Sequence, residues 1–262
     1  MSADKPVRLA ARFLEKIWGT TELLPWYPNS TQKIGEVWFE ADLPLLVKFV
    51  FTSEHLSVQV HPGDEFARAH ENSLGKTEMW YVLRAEPGAR LAIGFRQSIS
   101  RESLREAALT GEIEGLLQWV DVRAGDAFYV PAGTVHAIGG GLALCEIQQH
   151  SDITYRLFDY GRGRELHLEK AAQVAFLEAG HAEPVPLPID CKYFHTEIAK
   201  THSPLRYTPE SGRFHLLVFL SGSGTIAGDP YREGETWLVP AGASPFSIEP
   251  AETSKFLRTW VP

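Results

Sequence analysis

Cysteine is scarce in this 262-residue chain: Cys145 and Cys191 are the only two, and neither sits in a Cys-x-x-Cys spacing. A disulfide framework and a dithiol redox centre are thereby excluded, and both residues are expected to be packed free thiols. Long apolar runs are also lacking. No stretch approaches the roughly 20 apolar residues of a membrane span. At the N-terminus Asp4, Lys5, Arg8 and Arg12 are interleaved with apolar residues, unlike the charged-then-apolar order of a signal peptide. The expectation is a cytoplasmic protein with no membrane partner. Positive charge is in deficit, 25 Lys and Arg against 33 Asp and Glu. A net charge of -8 argues against nucleic acid as a partner, and an anionic small molecule would need local cations.

The chain is rich in short strand signals. Leu45–Phe51, Met79–Leu83, Ala127–Val130 and Phe214–Leu220 are aromatic-rich and β-branched, with turn-forming Gly, Pro, Asp and Ser between most such runs. Helical signals are few and short. Pro62 suits a first helical turn before Asp64–His70, and Ser100 suits an N-cap for Arg101–Ala108. A short turn is expected at Ile113–Leu117, and a last helix at Leu168–Leu177.

An internal echo predicts the architecture. Gly125-Asp126-Ala127-Phe128-Tyr129-Val130-Pro131-Ala132-Gly133 recurs at constant offset as Gly234-Glu235-Thr236-Trp237-Leu238-Val239-Pro240-Ala241-Gly242. A repeated turn, strand and turn implies two related β-barrels, joined near Pro184, Pro186 and Pro188. The expected division is residues 1–180 for the first barrel, with short helical insertions, and 181–262 for the second, which can borrow strands from the N-terminal segment.

The polar residues of the first barrel suggest a metal site. In the strand around Ser57-Val58-Gln59-Val60-His61, alternation puts Gln59 and His61 on one face. A following strand carrying Glu78 presents a carboxylate opposite them, and His136 in Pro131-Ala132-Gly133-Thr134-Val135-His136 closes the set. Two imidazoles, a carboxylate and an amide suit a borderline divalent ion with positions left open for chemistry. The second barrel has Pro245 where the first has His136 and has no Gln-x-His pair, so it is expected to lack a metal. The other histidines, His55, His70, His150, His167, His181, His195, His202 and His215, lack such company and are assigned to surface or packing.

The Gly-Asp-x(4)-Pro-Ala-Gly-x(2)-His pattern resembles the second motif of the cupin superfamily, a jelly roll or double-stranded β-helix that holds a metal inside its barrel. Pro44–Lys48, Leu56–Pro62, Gly75–Tyr81, Val130–Ala137 and Glu146–Arg156 together resemble, in order, successive signatures of the type I mannose-6-phosphate isomerase family. The resemblance covers about residues 14–165. It implies a mainly β fold of two cupin barrels, zinc held by Gln59, His61, Glu78 and His136, and a substrate-site lysine and catalytic arginine at Lys76 and Arg156. Ligand chemistry alone also admits manganese, cobalt or iron. Gly63 stands where many members have Asp. The short length implies a compact form without the helical domain that many members carry.

The expected activity is interconversion of mannose 6-phosphate and fructose 6-phosphate through a cis-enediolate, by a monomer or homodimer. Lys48 and Ser57 are candidates, with Lys76 and Arg156, for binding phosphate or sugar hydroxyls. The proton-transfer group is open among Glu146, Asp152, Lys76 and a hydroxide on the metal. Arg156 has a structural alternative, an ion pair with Asp152 or Asp159. Two other functions fit a metal-bearing cupin: a sugar-phosphate sensor without turnover, and an iron dioxygenase. Lys76 and Arg156 disfavour the first, and Gln59 as an additional ligand disfavours the second.

Overall fold

The computed structural model describes residues 4–262, which form four antiparallel sheets stacked as two jelly-roll barrels, with four helices on one outer face. The first sheet, next to the helices, runs in the order Tyr155–Phe158, Val58–Val60, His136–Ile138, Arg90–Phe95 and Leu117–Asp121. The second, central sheet is Ala11–Thr20, Ile34–Phe39, Leu45–Thr52, Leu142–Gln149, Glu78–Ala85 and Ala127–Val130. The third is Val7–Arg8, Thr236–Val239, His215–Ser221, Ser254–Trp260, His195–Thr201 and Ile189–Asp190. The fourth, outermost, is Leu205–Tyr207, Phe246–Pro250, Ser223–Ile226 and Asp229–Arg232. From residue 189 onward every strand belongs to the last two sheets, which the N-terminal Val7–Arg8 joins beside Thr236–Val239.

The alternation of side chains builds a core between each pair of layers. On the central sheet Val37, Phe39, Val47, Phe49, Phe51, Met79, Cys145 and Ile147 face the third sheet, where Leu216, Val218, Leu220 and Leu257 meet them. The opposite face carries Val50, Trp80, Val82 and Leu144 into the first barrel, against Leu91, Ile93 and Ile138 of the first sheet. Every residue of Leu45–Thr52 and of Leu142–Gln149 is buried as a result. Burying one Phe or Leu stabilises by about 1.5–3 kcal/mol, so this doubly covered sheet is the mechanical centre of the molecule. The outer face of the first sheet packs on Leu104, Ala107, Ala171 and Ala172 of the helices. Leu217, Phe219, Ile226, Trp237 and Ile248 fill the second barrel.

The helices follow the sequence expectations with shifted ends. Ser100 caps Arg101–Thr110 by accepting from the Ser103 amide at 3.1 Å, and Gly111 ends that helix at φ 84°. The helix Asp64–Glu71 starts after Gly63, so Pro62 lies outside it, and it ends at Asn72 in the left-handed conformation. The expected Leu168–Leu177 helix stops at Val174, where Ala175 turns to extended backbone. Among the described residues no helix is long and apolar enough to cross a membrane.

The sequence echo appears as equivalent pairings. Ala127–Val130 lies beside Glu78–Ala85 with Val130 opposite Glu78, and Thr236–Val239 lies beside His215–Ser221 with Val239 opposite His215. His215 thus takes the place of Glu78 in the second barrel, where it is buried and its Nδ1 contacts the Tyr207 hydroxyl at 2.6 Å. One step along, Glu146 opposite Lys48 in the central sheet corresponds to Arg258 opposite Glu197 in the third. Both are ion pairs, 3.5 Å and 2.8 Å apart.

Candidate metal centre

Register brings the candidate ligands together from strands distant in sequence. In the first sheet Gln59 stands directly between Arg156 and His136. Across the barrel, Glu78 begins its strand opposite Gln148 and Val130. His61, Glu78 and His136 are all buried, and their ligand atoms lie within 4.8 Å of one another. The two carboxylate oxygens of Glu78 face one imidazole each: Oε2 is 3.6 Å from His61 Nε2, and Oε1 is 3.5 Å from His136 Nε2.

Local hydrogen bonds aim both rings. His61 Nδ1 donates to the Ile153 carbonyl at 2.7 Å, and His136 Nδ1 donates to that of Thr134 at 2.9 Å, leaving each Nε2 lone pair turned inward. Burial lowers both pKa values, aided at His61 by Lys76 and His136; the His136 imidazole is pushed down to about 4. Burial and nearby Glu146 push Glu78 up to about 7 against the pull of Lys76 and Lys48. Its buried Oε2 has the Lys76 ammonium as an ion-pair partner at 3.2 Å and no well-aligned hydrogen bond. Two neutral imidazoles and a buried carboxylate whose oxygens face them form a set that fits a first-row divalent ion.

Gln59 lies beside these three, paired with His136 in the sheet. Its Oε1 accepts from the Ser57 hydroxyl at 3.0 Å, while its Nε2 faces His136 Nε2 at 3.3 Å. Offering the oxygen to a metal requires a half-turn of the amide, and the Ser57 hydroxyl can bond either end.

Above these residues charges of alternating sign run toward solvent. The Lys76 ammonium is 3.2 Å from Glu78 Oε2 and 3.2 Å from His61 Nε2, and 3.9 Å from Glu146. Glu146 accepts from Trp80 Nε1 at 3.0 Å and pairs with Lys48 at 3.5 Å. Lys48 sits 4.2 Å above the Trp38 ring. Burial alone would lower the Lys76 pKa, but Glu78, Glu146 and Asp152 outweigh it and hold the ammonium protonated. The mainly exposed Asp152 reaches Lys48 at 3.8 Å.

A cavity of about 200 Å³ opens over this array and is lined by Lys48, Ser57, Gln59, Lys76, Glu146, Asp152 and Arg156. All seven were singled out in the sequence; His61, Glu78 and His136 are absent from this lining. Arg156 pairs with neither Asp152 nor Asp159: its guanidinium donates to the Glu165 carbonyl at 2.9 Å, and its buried Nε has no acceptor. Asp159 is instead held by Arg164 and Arg162.

Sequence reasoning missed four residues here. Lys16, Glu36 and Arg164 also line the cavity, and Trp38 lies under Lys48. Glu36 accepts from Trp38 Nε1 at 3.1 Å and pairs with Lys16 at 2.9 Å. Burial raises its pKa, but Lys48 and Lys16 more than offset this and keep the carboxyl below its usual range. Alternation in Ile34–Phe39, which sets Glu36 and Trp38 on one face, was the available signal. A larger groove of about 1010 Å³, between Asp64–Glu71 and Phe176, contains none of these residues.

No family model matches the sequence. Mannose-6-phosphate isomerase ManA of Bacillus subtilis (strain 168) is 34% identical over 305 aligned positions, covering 94% of this chain and 96% of that protein. The mannose-6-phosphate isomerase of Streptococcus mutans is 47% identical over 137 residues, covering 50% of this chain and 43% of that protein. The crystal structure of a Bacillus subtilis mannose 6-phosphate isomerase matches with a TM-score of 0.87 at 26% identity, covering 98% of this chain and 99% of the other. A phosphomannose isomerase variant from Salmonella typhimurium shares the fold, with a TM-score of 0.79 at 15% identity over 98% of this chain and 99% of the other. With a third of its residues shared along nearly the whole of both chains, and the fold shared as well, this chain belongs to the mannose-6-phosphate isomerase family.

Proposed function

We propose that this chain interconverts mannose 6-phosphate and fructose 6-phosphate, with zinc held by Gln59, His61, Glu78 and His136. The observation that carries the reading is the joining of the buried His61, Glu78 and His136, through Lys76, to a second buried carboxylate, Glu146, which with Lys76 and Gln59 lines the cavity above them.

Isomerisation moves a proton from C2 to C1 and another from O2 to O1, through a cis-enediolate. When bound, the metal supplies Lewis acidity that polarises the C1 and C2 oxygens. Lys76, held protonated, donates to the oxygen on which charge grows. Glu146 is the buried carboxylate outside the donor set, and we assign it the carbon proton, taken from C2 and returned at C1. Trp80 holds one of its oxygens, so the other faces Lys48 and Lys76 at the substrate. Arg156 contributes a fixed cation from the opposite wall. Asp152, at the mouth, tethers Lys48.

We place the protein in the cytoplasm, as a monomer or homodimer, serving mannose catabolism or the synthesis of GDP-mannose. The direct test is fructose 6-phosphate formation by purified protein before chelation, after it, and after zinc is restored. Turnover that disappears and returns with zinc is expected; none in the zinc-loaded protein would defeat the reading.

A further inference from the structure

Lys76 stands at the centre of the charged array yet belongs to no strand, since Glu78–Ala85 begins two residues after it. A long, flexible side chain keeps one geometry only if its backbone is fixed. Here three successive amides are held. Gly75 N donates to Asp64 Oδ1 at 2.9 Å, Lys76 N to the Pro62 carbonyl at 3.1 Å, and Thr77 N to Gln149 Oε1 at 2.9 Å. Gln149 closes the ring: its Nε2 donates to the same Asp64 Oδ1 at 2.8 Å, and its backbone N–H donates to the Thr77 carbonyl at 3.1 Å. One oxygen of Asp64 thus joins both ends of the lysine segment.

We propose that Asp64, acting through Gly75 and Gln149, is the positioning residue of Lys76, keeping its ammonium 3.2 Å from Glu78 and 3.9 Å from Glu146; the proposal rests on the isomerase reading. Neither Asp64 nor Gln149 lines the cavity, and Asp64 lies instead in the larger groove beside the helix that it begins. An aspartate at that helical position ordinarily serves the positive end of its own helix. Both of these hydrogen bonds to Asp64 come from outside the helix. Burial raises its pKa, but the bonds from Gln149 and Gly75 outweigh this and hold the carboxyl below its usual range.

The close approach of this loop to the helix is built in. A Cβ at Gly75 would fall 2.6 Å from Asp64 N and 2.7 Å from the Gly63 carbonyl carbon, so only glycine lets the loop reach the carboxylate. Farther along, Thr77 Oγ1 accepts from the Ala132 amide at 3.2 Å, and Gly133 N donates to the His61 carbonyl at 2.8 Å, which ties the lysine segment to the turn before His136. Removing the Asp64 acceptor frees one end of this clasp, and a displacement of about 1 Å at a working group can cost about 100-fold in rate.

In the zinc-loaded protein, Asp64→Ala should lower kcat for mannose 6-phosphate about 10–100-fold, with KM changed less than about threefold and zinc content intact. Asp64→Asn keeps an oxygen that can accept both bonds and should restore kcat to near the wild-type value. In a Lys76→Ala background the Asp64→Ala change should cost no more than about twofold further, because its effect passes through that lysine. If Asp64→Ala fails to fold, Asp64→Ser, whose hydroxyl is too short to reach both donors, takes its place. Hydrogen exchange of the Gly75–Thr77 amides should speed up about tenfold in Asp64→Ala and stay at the wild-type rate in Asp64→Asn. Wild-type kcat in Asp64→Ala, an asparagine variant as slow as the alanine one, or a full additional loss on top of Lys76→Ala would overturn the positioning role. A zinc-loaded wild type without turnover would sink the isomerase reading, and exchange would then decide the anchor by itself: unchanged rates in Asp64→Ala would overturn it.

Discussion

Replacing Lys48 with Met is the sharpest probe of how the cavity wall is held together. The ammonium is 1% exposed, 3.5 Å from Glu146, and lies over the Trp38 ring. At an effective dielectric constant of about 20, a pair at 3.5 Å attracts by about 5 kcal/mol, and Lys76 at 3.9 Å attracts Glu146 by about 4 kcal/mol. Most of this offsets the desolvation of the charges, so the net value of the pair is small while the cost of breaking it is large. Lys48→Met leaves the buried Glu146 carboxylate with Lys76 as its one remaining cation beside the Trp80 hydrogen bond, and should lower the unfolding free energy by about 3–5 kcal/mol. Glu146→Gln preserves an acceptor for Trp80 but leaves Lys48 and Lys76 close together without the intervening charge. The double variant Lys48→Met, Glu146→Gln should then be no less stable than the worse single, a coupling of at least about 2 kcal/mol. Urea unfolding of the chelator-treated proteins, followed by tryptophan fluorescence, reads all four corners of the cycle. Additive losses, within about 0.5 kcal/mol, would show that the two residues do not act as a pair.

His136→Ala should lose metal and turnover together, whereas Arg156→Ala should keep metal and lose turnover; elemental analysis beside the isomerase assay separates them. The folded His136 pKa of about 4 lies below its ordinary 6.5. Its contribution to stability is therefore full above pH 6.5 and is lost as pH falls through 4, about 3 kcal/mol in all for this buried ring. In the metal-free protein His136→Asn should flatten that part of the urea midpoint against pH, and an unchanged slope would assign the acid sensitivity elsewhere. Gly35→Ala should force Lys16 and Trp18 aside, at about 1–3 kcal/mol of stability, and raise KM. Ser100→Ala should lose about 1 kcal/mol with kcat unchanged, since its cap lies on the helical face away from the cavity.

The grouping of the candidate donors was legible in the sequence because three of them rest on local rules. Alternation fixes Gln59 with His61, and the Pro131-Ala132-Gly133 turn fixes where His136 re-enters the barrel. The repeat likewise announced two barrels. What stayed hidden depends on register between remote strands. That Trp38 lies opposite Lys48, and Lys48 opposite Glu146, follows from pairings across a hundred residues. Lys16 was obscured further, because it reaches the cavity by crossing over Gly35, which no periodicity encodes. The commitment of Ser57 to Gln59 was equally invisible, since a hydroxyl names its partner only in three dimensions. Pro62 misled because Gly63 starts the helix one step later than a proline-first turn would.

The two barrels carry the same cross-strand pair with its signs exchanged: lysine then glutamate in the central sheet, glutamate then arginine in the third. In a duplicated scaffold this amounts to a rule of conduct for one interior location, in which neutrality of the couple is required and polarity is free. The barrel without the candidate donors has the couple turned around, while in the barrel that has them the carboxylate lies on the strand next to Glu78, where Lys76 can reach it. The orientation of one salt bridge thus distinguishes the working half of the molecule from the half that carries it.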